Sequence, residues 1–248
     1  MEHPTAEAPV TVKDLRKTFG GQTVLNGVDL EAAQGETVAV LGRSGTGKSV
    51  LLKLLVGLQS PDSGSIRIRG QEITKLEENR LNELRKKMGF LFQQAALYDS
   101  LTVEQNVEFP LMRHTRMAPG ERRQRVRELL ADVGMEKDLE KLPSQISGGM
   151  QKRVGLARAL ALEPDIVLFD EPTAGLDPIT AGEIGKVIVQ LKQKRKITAV
   201  VVTHDVRGAR KFADRLVLLR DGRIVTEGTF ENLQKSRDDF VVQFLRDG

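Results

Sequence analysis

Thr37-Val38-Ala39-Val40-Leu41-Gly42-Arg43-Ser44-Gly45-Thr46-Gly47-Lys48-Ser49 is an apolar run that breaks into glycines and ends on a lysine and a hydroxyl. The continuous apolar stretch Thr37–Leu41 reads as a strand buried on both faces. The residues after it, Gly42 to Ser49, fit G-x-x-x-x-G-K-[ST] at every position. Glycines in such a loop let backbone N–H groups turn inward around an anion, and the positive end of the following helix adds to the field. Lys48 would reach the β- and γ-phosphates of a nucleotide, and the Ser49 hydroxyl would ligate Mg²⁺. The context agrees, because Lys48–Leu58 reads as a buried helix. A glycine-rich turn matching by chance would not bring both flanks with it. The loop alone implies a bound nucleoside triphosphate and leaves kinases, GTPases and motor ATPases open.

A second apolar strand, Ile166–Phe169, runs into two acids, Asp170 and Glu171. A buried strand places Asp170 at the carboxyl edge of the sheet, beside the phosphate loop, where it can hold Mg²⁺ directly or through water. Glu171 is the natural general base for a water aimed at the γ-phosphate. Gln93 follows the short strand Phe90–Phe92 and could sense the γ-phosphate or Mg²⁺. His204 follows Ala199–Thr203 and could contact the γ-phosphate. Taken singly, each is an ordinary polar strand end; the set promotes them.

Outward from these motifs the chain alternates strand and helix. Val10–Leu15, Val24–Leu25 and Val28–Leu30 read as short strands, with Gly20-Gly21 as a turn. Ile66–Ile68 is a further strand and Leu76–Lys87 a polar surface helix. From about Ala95 to Ala159 the pattern is mostly helical. There Val126, Leu129, Leu130 and Val133 share one face before a stop at Gly134. Asp177 caps the next helix, with Pro178 at its first position and Ile184, Val187, Ile188 and Leu191 on its apolar face. Ile197–Thr203 and Leu216–Leu219 are strands, and Asp221-Gly222 is a hairpin turn into Ile224-Val225. The implied fold is α/β: a largely parallel sheet covered on both faces, with antiparallel strands at the N-terminus and an inserted helical subdomain. Residues 1–9 read as a disordered tail, with Pro4 and Pro9 as breakers.

Composition bounds the rest. The 248 residues are 40% apolar and 29% charged, as in a water-soluble globular protein. There is no cysteine, which excludes disulfides, thiolate metal sites and cysteine nucleophiles. A net charge of +4 with both signs interspersed identifies no partner. No apolar run is long enough to span a bilayer, and residues 1–9 lack the basic and apolar regions of a signal peptide. Any membrane role is therefore expected to come through a partner.

Ile146-Ser147-Gly148-Gly149-Met150 closely resembles the signature motif of ABC ATPases, usually written L-S-G-G-Q. The other elements of that family occur in the expected order. Phe19 matches the aromatic that stacks on adenine, Gly42–Ser49 Walker A, Gln93 the Q-loop and Ile166–Asp170 Walker B. Glu171 matches the catalytic glutamate, Ala174–Asp177 the D-loop and His204 the switch histidine. The resemblance covers nearly the whole chain. It implies the RecA-like core of a P-loop NTPase, one ABC ATPase domain over 10–248. Within it, 10–94 and 160–238 would form the ATP-binding core, 95–159 the helical subdomain and 239–248 a C-terminal tail. It further implies ATP and Mg²⁺ as ligands, with Ser49, Gln93 and Asp170 around the metal. Ser147, Gly148 and Gly149, at a helix N-terminus, would cap the γ-phosphate held by a second copy, and Asp177 of the D-loop would also belong to the nucleotide-binding set. With one ATP core per chain, a homodimer follows. Met150 stands where glutamine is usual, with the Ser-Gly-Gly nest intact. Val50 stands where a second hydroxyl is common, leaving only its backbone N–H for the nucleotide.

Arg43–Val50, Leu91–Ser100 and Val107–Leu111 look like the ATPases of Mla/Mce-type lipid transport systems. That resemblance implies transmembrane permease subunits, an MCE-domain lipid-binding protein and a small accessory protein. It places the chain peripherally on the cytoplasmic side of the inner membrane. Leu97, Tyr98, Leu101, Val103, Phe109 and Leu111 would offer an apolar groove to a coupling helix, unless they belong to the core. Phe240, Val241, Phe244 and Leu245 fall at helical spacing and would pack on their own domain, on the second copy or on the accessory protein. Arg116–Arg127 reads as a solvated helix face, with lipid-headgroup contact as the sharper alternative. ABC proteins of DNA repair carry long coiled coils, and no sustained heptads occur here. ABC translation factors carry two ATP cores per chain. Nucleic acid is therefore not expected as a partner.

Overall fold

A computed structural model describes residues 7–247. The elements, in order, are β1 (Val10–Phe19), β2 (Gln22–Ala32), β3 (Thr37–Leu41), α1 (Lys48–Leu55), β4 (Ser63–Ile68), β5 (Gln71–Glu72), α2 (Glu78–Arg85), β6 (Met88–Leu91), α3 (Val103–His114), α4 (Pro119–Asp132), α5 (Gly148–Ala159), β7 (Ile166–Asp170), α6 (Pro178–Arg195), β8 (Thr198–Thr203), α7 (Val206–Phe212), β9 (Arg215–Arg220), β10 (Arg223–Gly228), α8 (Phe230–Leu233) and α9 (Asp239–Asp247).

Two sheets form. One is antiparallel with strand order β2-β1-β4-β5, and the other has six strands in the order β10-β9-β3-β8-β7-β6. In the larger sheet β9, β3, β8, β7 and β6 run parallel, and β10 closes the edge as an antiparallel hairpin partner. β3, β7 and β8 are buried along their whole length, as their unbroken apolar sequences require. Alternate residues serve opposite faces. Ala39, Leu41, Val167, Phe169, Val201 and Leu218 join the helices α3 to α7 and α9. Val38, Val40, Leu168, Val202 and Val217 join α1 and the antiparallel sheet. The register Leu41↔Thr203, Asp170↔Val202 and Leu91↔Phe169 brings the carboxyl ends of four strands to one edge. Ligands of open α/β sheets bind along this edge.

Differences from the sequence pattern have local causes. The three expected N-terminal strands are two long ones, paired from Val10↔Ala32 to Phe19↔Gln22. Asp14 adopts φ 43° and the ladder slips between Val12 and Leu15. That bulge breaks the alternation of period two that would otherwise mark a long strand. α1 stops at Leu55 rather than Leu58. Gly57 turns left-handed at φ 68°, and Leu58 N–H returns to Lys53 C=O at 2.8 Å. Glu7 pairs with Arg67 at 3.2 Å, and Pro9 C=O accepts from Arg69 N–H at 2.8 Å. Residues 7–9 are thus joined to β4, whereas the rest of the expected disordered tail lies outside the described residues. α9 buries Val241 and Phe244 in the core of its own chain. Of the residues read as groove or core, Val103 and Leu111 are core. No helix among the described residues is long and apolar enough to cross a membrane.

Candidate nucleotide site

The loop between β3 and α1 is held open by its own backbone. Gly45 and Gly47 have φ 81° and 96°, which favour glycine. A Cβ on Gly47 would meet the side chains of Val24 and Leu25 at 2.9 Å, so the hairpin of β1 and β2 stands against the loop. Among the described residues, the N–H groups of Gly45, Gly47, Lys48, Ser49 and Val50 have no hydrogen-bond partner. Five free donors at a helix N-terminus make an anion cradle. The Lys48 ammonium donates to Gly42 C=O at 2.8 Å and Arg43 C=O at 3.1 Å, folding back over the loop. Val50 packs its side chain against the core, and only its N–H faces the cradle.

Two strand ends face this loop. The Ser49 hydroxyl donates to Asp170 Oδ1 at 2.9 Å. Burial pushes the Asp170 carboxyl above its ordinary value; the charge of Glu171 adds to this, while Ser49, Lys53 and Lys48 oppose it. Glu171 is also buried, 3.5 Å from the Lys48 ammonium. It accepts from the Thr203 hydroxyl at 3.0 Å and the His204 N–H at 3.3 Å, and His204 Nδ1 lies 2.9 Å from the same carboxylate oxygen. Lys48, Ser49, Asp170, Glu171 and His204 are therefore one contiguous constellation.

Mg²⁺ fits this donor set. Oxygens cis on an octahedral ion with bonds of about 2.0–2.1 Å stand roughly 2.9 Å apart, the Ser49–Asp170 separation. The described residues hold no cluster of three His, Cys, Asp or Glu that could cage an ion, so Mg²⁺ here would share its shell with phosphate and water. An ionised carboxylate whose folded proton affinity is raised costs stability at neutral pH. Asp170→Asn is expected to raise the Tm of the nucleotide-free, Mg²⁺-free chain by roughly 2–4 °C. The same substitution should abolish Mg²⁺-dependent hydrolysis. Thermal unfolding and phosphate release check the two halves.

The structure leaves other expected residues outside this constellation. Phe19 ends β1 with 43% of its surface exposed and Lys17 Nζ 5.1 Å from its ring centroid, an open platform on the hairpin that touches Gly47. Gln93 is exposed and makes no side-chain hydrogen bond among the described residues. Ser147 caps α5 by accepting from Met150 N–H at 3.3 Å. Among the described residues, the Gly148 and Gly149 N–H groups have no hydrogen-bond partner, and no hydrogen bond joins this segment to the phosphate loop. Met150 packs into the core without disturbing the cap. A Cβ on Gly149 would lie 2.3 Å from Thr180 Cγ2, so the α5 terminus sits tightly against the start of α6. Asp177 caps α6 by accepting from Ile179 and Thr180 N–H at 3.0 and 3.1 Å.

Sequence reasoning missed three supports. Thr203 orients Glu171. Arg158 on α5 donates to Ala95 and Ala96 C=O at 2.7 and 2.8 Å, fixing the strained turn after Gln93 where both alanines have positive φ. Lys152, also on α5, donates to Glu171 C=O at 3.1 Å and Ala174 C=O at 2.7 Å. A lysine at i+3 from buried Gly149, with buried Leu156 at i+7, was the available signal.

A family model described as ABC transporter matches residues 25–174. The chain is 40% identical to the intermembrane phospholipid transport system ATP-binding protein MlaF of Haemophilus influenzae, covering 96% of this chain and 90% of the relative. It is also 40% identical to the methionine import ATP-binding protein MetN of Brucella abortus, covering 98% and 67%. The dimeric post-hydrolysis state of the ATP-binding cassette MJ0796, bound to ADP and Pi, matches with a TM-score of 0.82 at 38% identity, covering 89% of this chain and 98% of that one.

Proposed function

This chain belongs to the ABC transporter family as an ATP-binding, ATP-hydrolysing subunit, and from that premise we propose that a homodimer of it powers phospholipid transport through a membrane permease. The carrying observation is a site in two separated halves. Among the described residues, the N–H donors of the cradle at Lys48 and those of Gly148 and Gly149 make no hydrogen bond. Head-to-tail pairing of two copies joins each cradle to the other's Ser147 nest, and the dimeric relative is consistent with such pairing. Asp177 and the start of α6 then lie at the seam.

Within the joined site, the cradle N–H groups and Lys48 bind the phosphates and Phe19 stacks on the adenine. Ser49, Asp170 and Gln93 would hold Mg²⁺. Mg²⁺, when bound, supplies charge neutralisation at the phosphate oxygens. Glu171 takes the proton of the attacking water. His204, 2.9 Å from the Glu171 carboxylate, orients that base and comes within reach of the γ-phosphate.

Permease contact falls on the turn before α3. Asn106 is fully buried, accepts from Tyr98 N–H at 2.8 Å, and donates to Tyr98, Leu101 and Thr102 carbonyls at 3.0–3.1 Å. It thereby presents Tyr98, packed against Phe109 with ring centroids 4.8 Å apart and planes tilted by 48°, with Met112 exposed on the next turn of the helix. Such a rigid apolar ledge suits a docking helix. Asn106→Leu removes the hydrogen-bond partner of Tyr98 N–H and of Leu101 C=O, at about 1–3 kcal/mol each, while Tyr98 and Thr102 C=O keep their backbone partners. It should leave basal ATPase activity intact and abolish its stimulation by the permease, which reconstituted assays measure.

Phospholipid as cargo is supported by the likeness to MlaF over nearly all of both chains and by the motifs from Arg43, Leu91 and Val107. It implies a peripheral position on the inner membrane with an MCE-domain partner. The test is purification of the subunit with its membrane partner from native membranes, followed by mass spectrometry of bound lipid. Bound phospholipid, with ATPase activity stimulated by phospholipid vesicles, is the expected result. Stimulation by methionine alone would favour the amino-acid reading that the MetN relative suggests.

A further inference from the structure

The peptide of Glu171 is held in a conformation that its own chain does not favour. Its φ is +48°, left-handed for a residue with a Cβ, which persists only where the surroundings over-determine it. One hold comes from within the sheet: Glu171 N–H donates to Val202 C=O at 2.9 Å. The carboxylate is held by Thr203 and His204 on the adjoining strand end. The turn is closed by Ala174 N–H on Glu171 C=O at 3.2 Å, and Thr173 is tied to Asp205 at 2.9 Å. All of these belong to the sheet edge itself.

Lys152 is different. Its ammonium reaches the same turn from α5, donating to Glu171 C=O and Ala174 C=O, and only 6% of the residue is exposed. A buried ammonium is costly unless it is fully hydrogen-bonded, so the contact is a built one. It lies on the same rigid helix, about five residues on, as the Ser147 cap and the free Gly148 and Gly149 donors. Resting on the dimer reading above, that terminus meets the phosphate bound by the second copy, while Glu171 serves the phosphate bound by its own.

We infer that Lys152 is a positioning residue, which aligns its own chain's Glu171 when the Ser147 nest of that chain engages the partner's nucleotide. α5 transmits the engagement as a rigid rod, and the two carbonyl bonds deliver it to the strained peptide of the base. The coupling runs within one chain and therefore links the two sites of the dimer.

Kinetics of the full-length dimer test this. Lys152→Met keeps the length of the stem and removes every donor. It is expected to lower kcat by about tenfold with the Kd for ATP held within about twofold. Lys152→Gln, which retains two N–H donors, is expected to recover at least half of the loss. Mixed dimers carry the decisive readout. With Lys152→Met and Glu171→Gln in one chain and a wild-type partner, the one competent site should turn over like a control dimer carrying only Glu171→Gln. With the two substitutions in opposite chains, turnover should fall by the same roughly tenfold. A purely structural lysine would depress both mixed dimers equally, and that result overturns the inference. So does a Lys152→Met homodimer with wild-type kcat. If Lys152→Met does not fold, Lys152→Ala takes its place with the same outcomes. Wild-type protein that hydrolyses ATP without dimerising overturns the functional reading as well, whereas a wild-type dimer indifferent to Lys152 overturns the inference alone.

Discussion

Glu171→Gln is expected to lower steady ATP hydrolysis by roughly 10²–10⁴-fold, the contribution of a positioned general base. ATP binding should remain, because the phosphate donors lie in the cradle and on Lys48 and not on Glu171. Glutamine keeps the shape of the side chain and can still accept from the Thr203 hydroxyl, so the strand edge stays in place. What it loses is the capacity to take a proton from water. A dimer that closes on ATP and cannot discharge it should accumulate. Phosphate release, equilibrium nucleotide binding and size-exclusion chromatography with ATP read the three consequences. Turnover at the wild-type rate would remove Glu171 from the role of base.

Lys48→Met is expected to weaken ATP binding by roughly 10- to 150-fold, since a hydrogen bond to a charged group is worth about 1.5–3 kcal/mol. A second effect should appear with no nucleotide present. Lys48 is the cation 3.5 Å from buried Glu171, with side-chain exposures of 6% and 10%. Breaking a buried pair from one side costs up to about 3–5 kcal/mol, less where the edge of the sheet is open to solvent. The nucleotide-free variant should therefore melt below wild type. Adding Glu171→Gln to Lys48→Met should restore part of that loss, as a double-mutant cycle by thermal unfolding will show.

The parts of the fold that were legible are those whose signal is local. Thr37–Leu41 and Ile166–Phe169 read as doubly buried strands because every residue had to be apolar, and they occupy the centre of the sheet. Gly42–Ser49 stood out because its glycines, lysine and hydroxyl fall at fixed spacing over eight residues, and its N–H groups are without a hydrogen-bond partner among the described residues. Asp170 and Glu171 were legible once the strand before them was known. The contacts that remained hidden join residues far apart in sequence. Lys152 meets carbonyls 19 and 22 residues away, and a lysine within a helix carries no sign of which backbone it will face. Asp14 hid the length of β1 because a bulge erases alternation. Val103 and Leu111 stayed open between groove and core because periodicity shows that a face is apolar and not what covers it.

Complementation between two inactive chains tests the shared site most directly. Ser147→Asp keeps a good helix cap for α5 and puts a negative charge where the partner's phosphate must sit. Homodimers of Lys48→Met and of Ser147→Asp should each be nearly inactive. A mixed dimer of the two contains one site built from an intact Lys48 and an intact Ser147 on opposite chains. It is predicted to regain ATP hydrolysis well above both parents. Mixed dimers no more active than the parent homodimers would contradict a phosphate gripped between two copies.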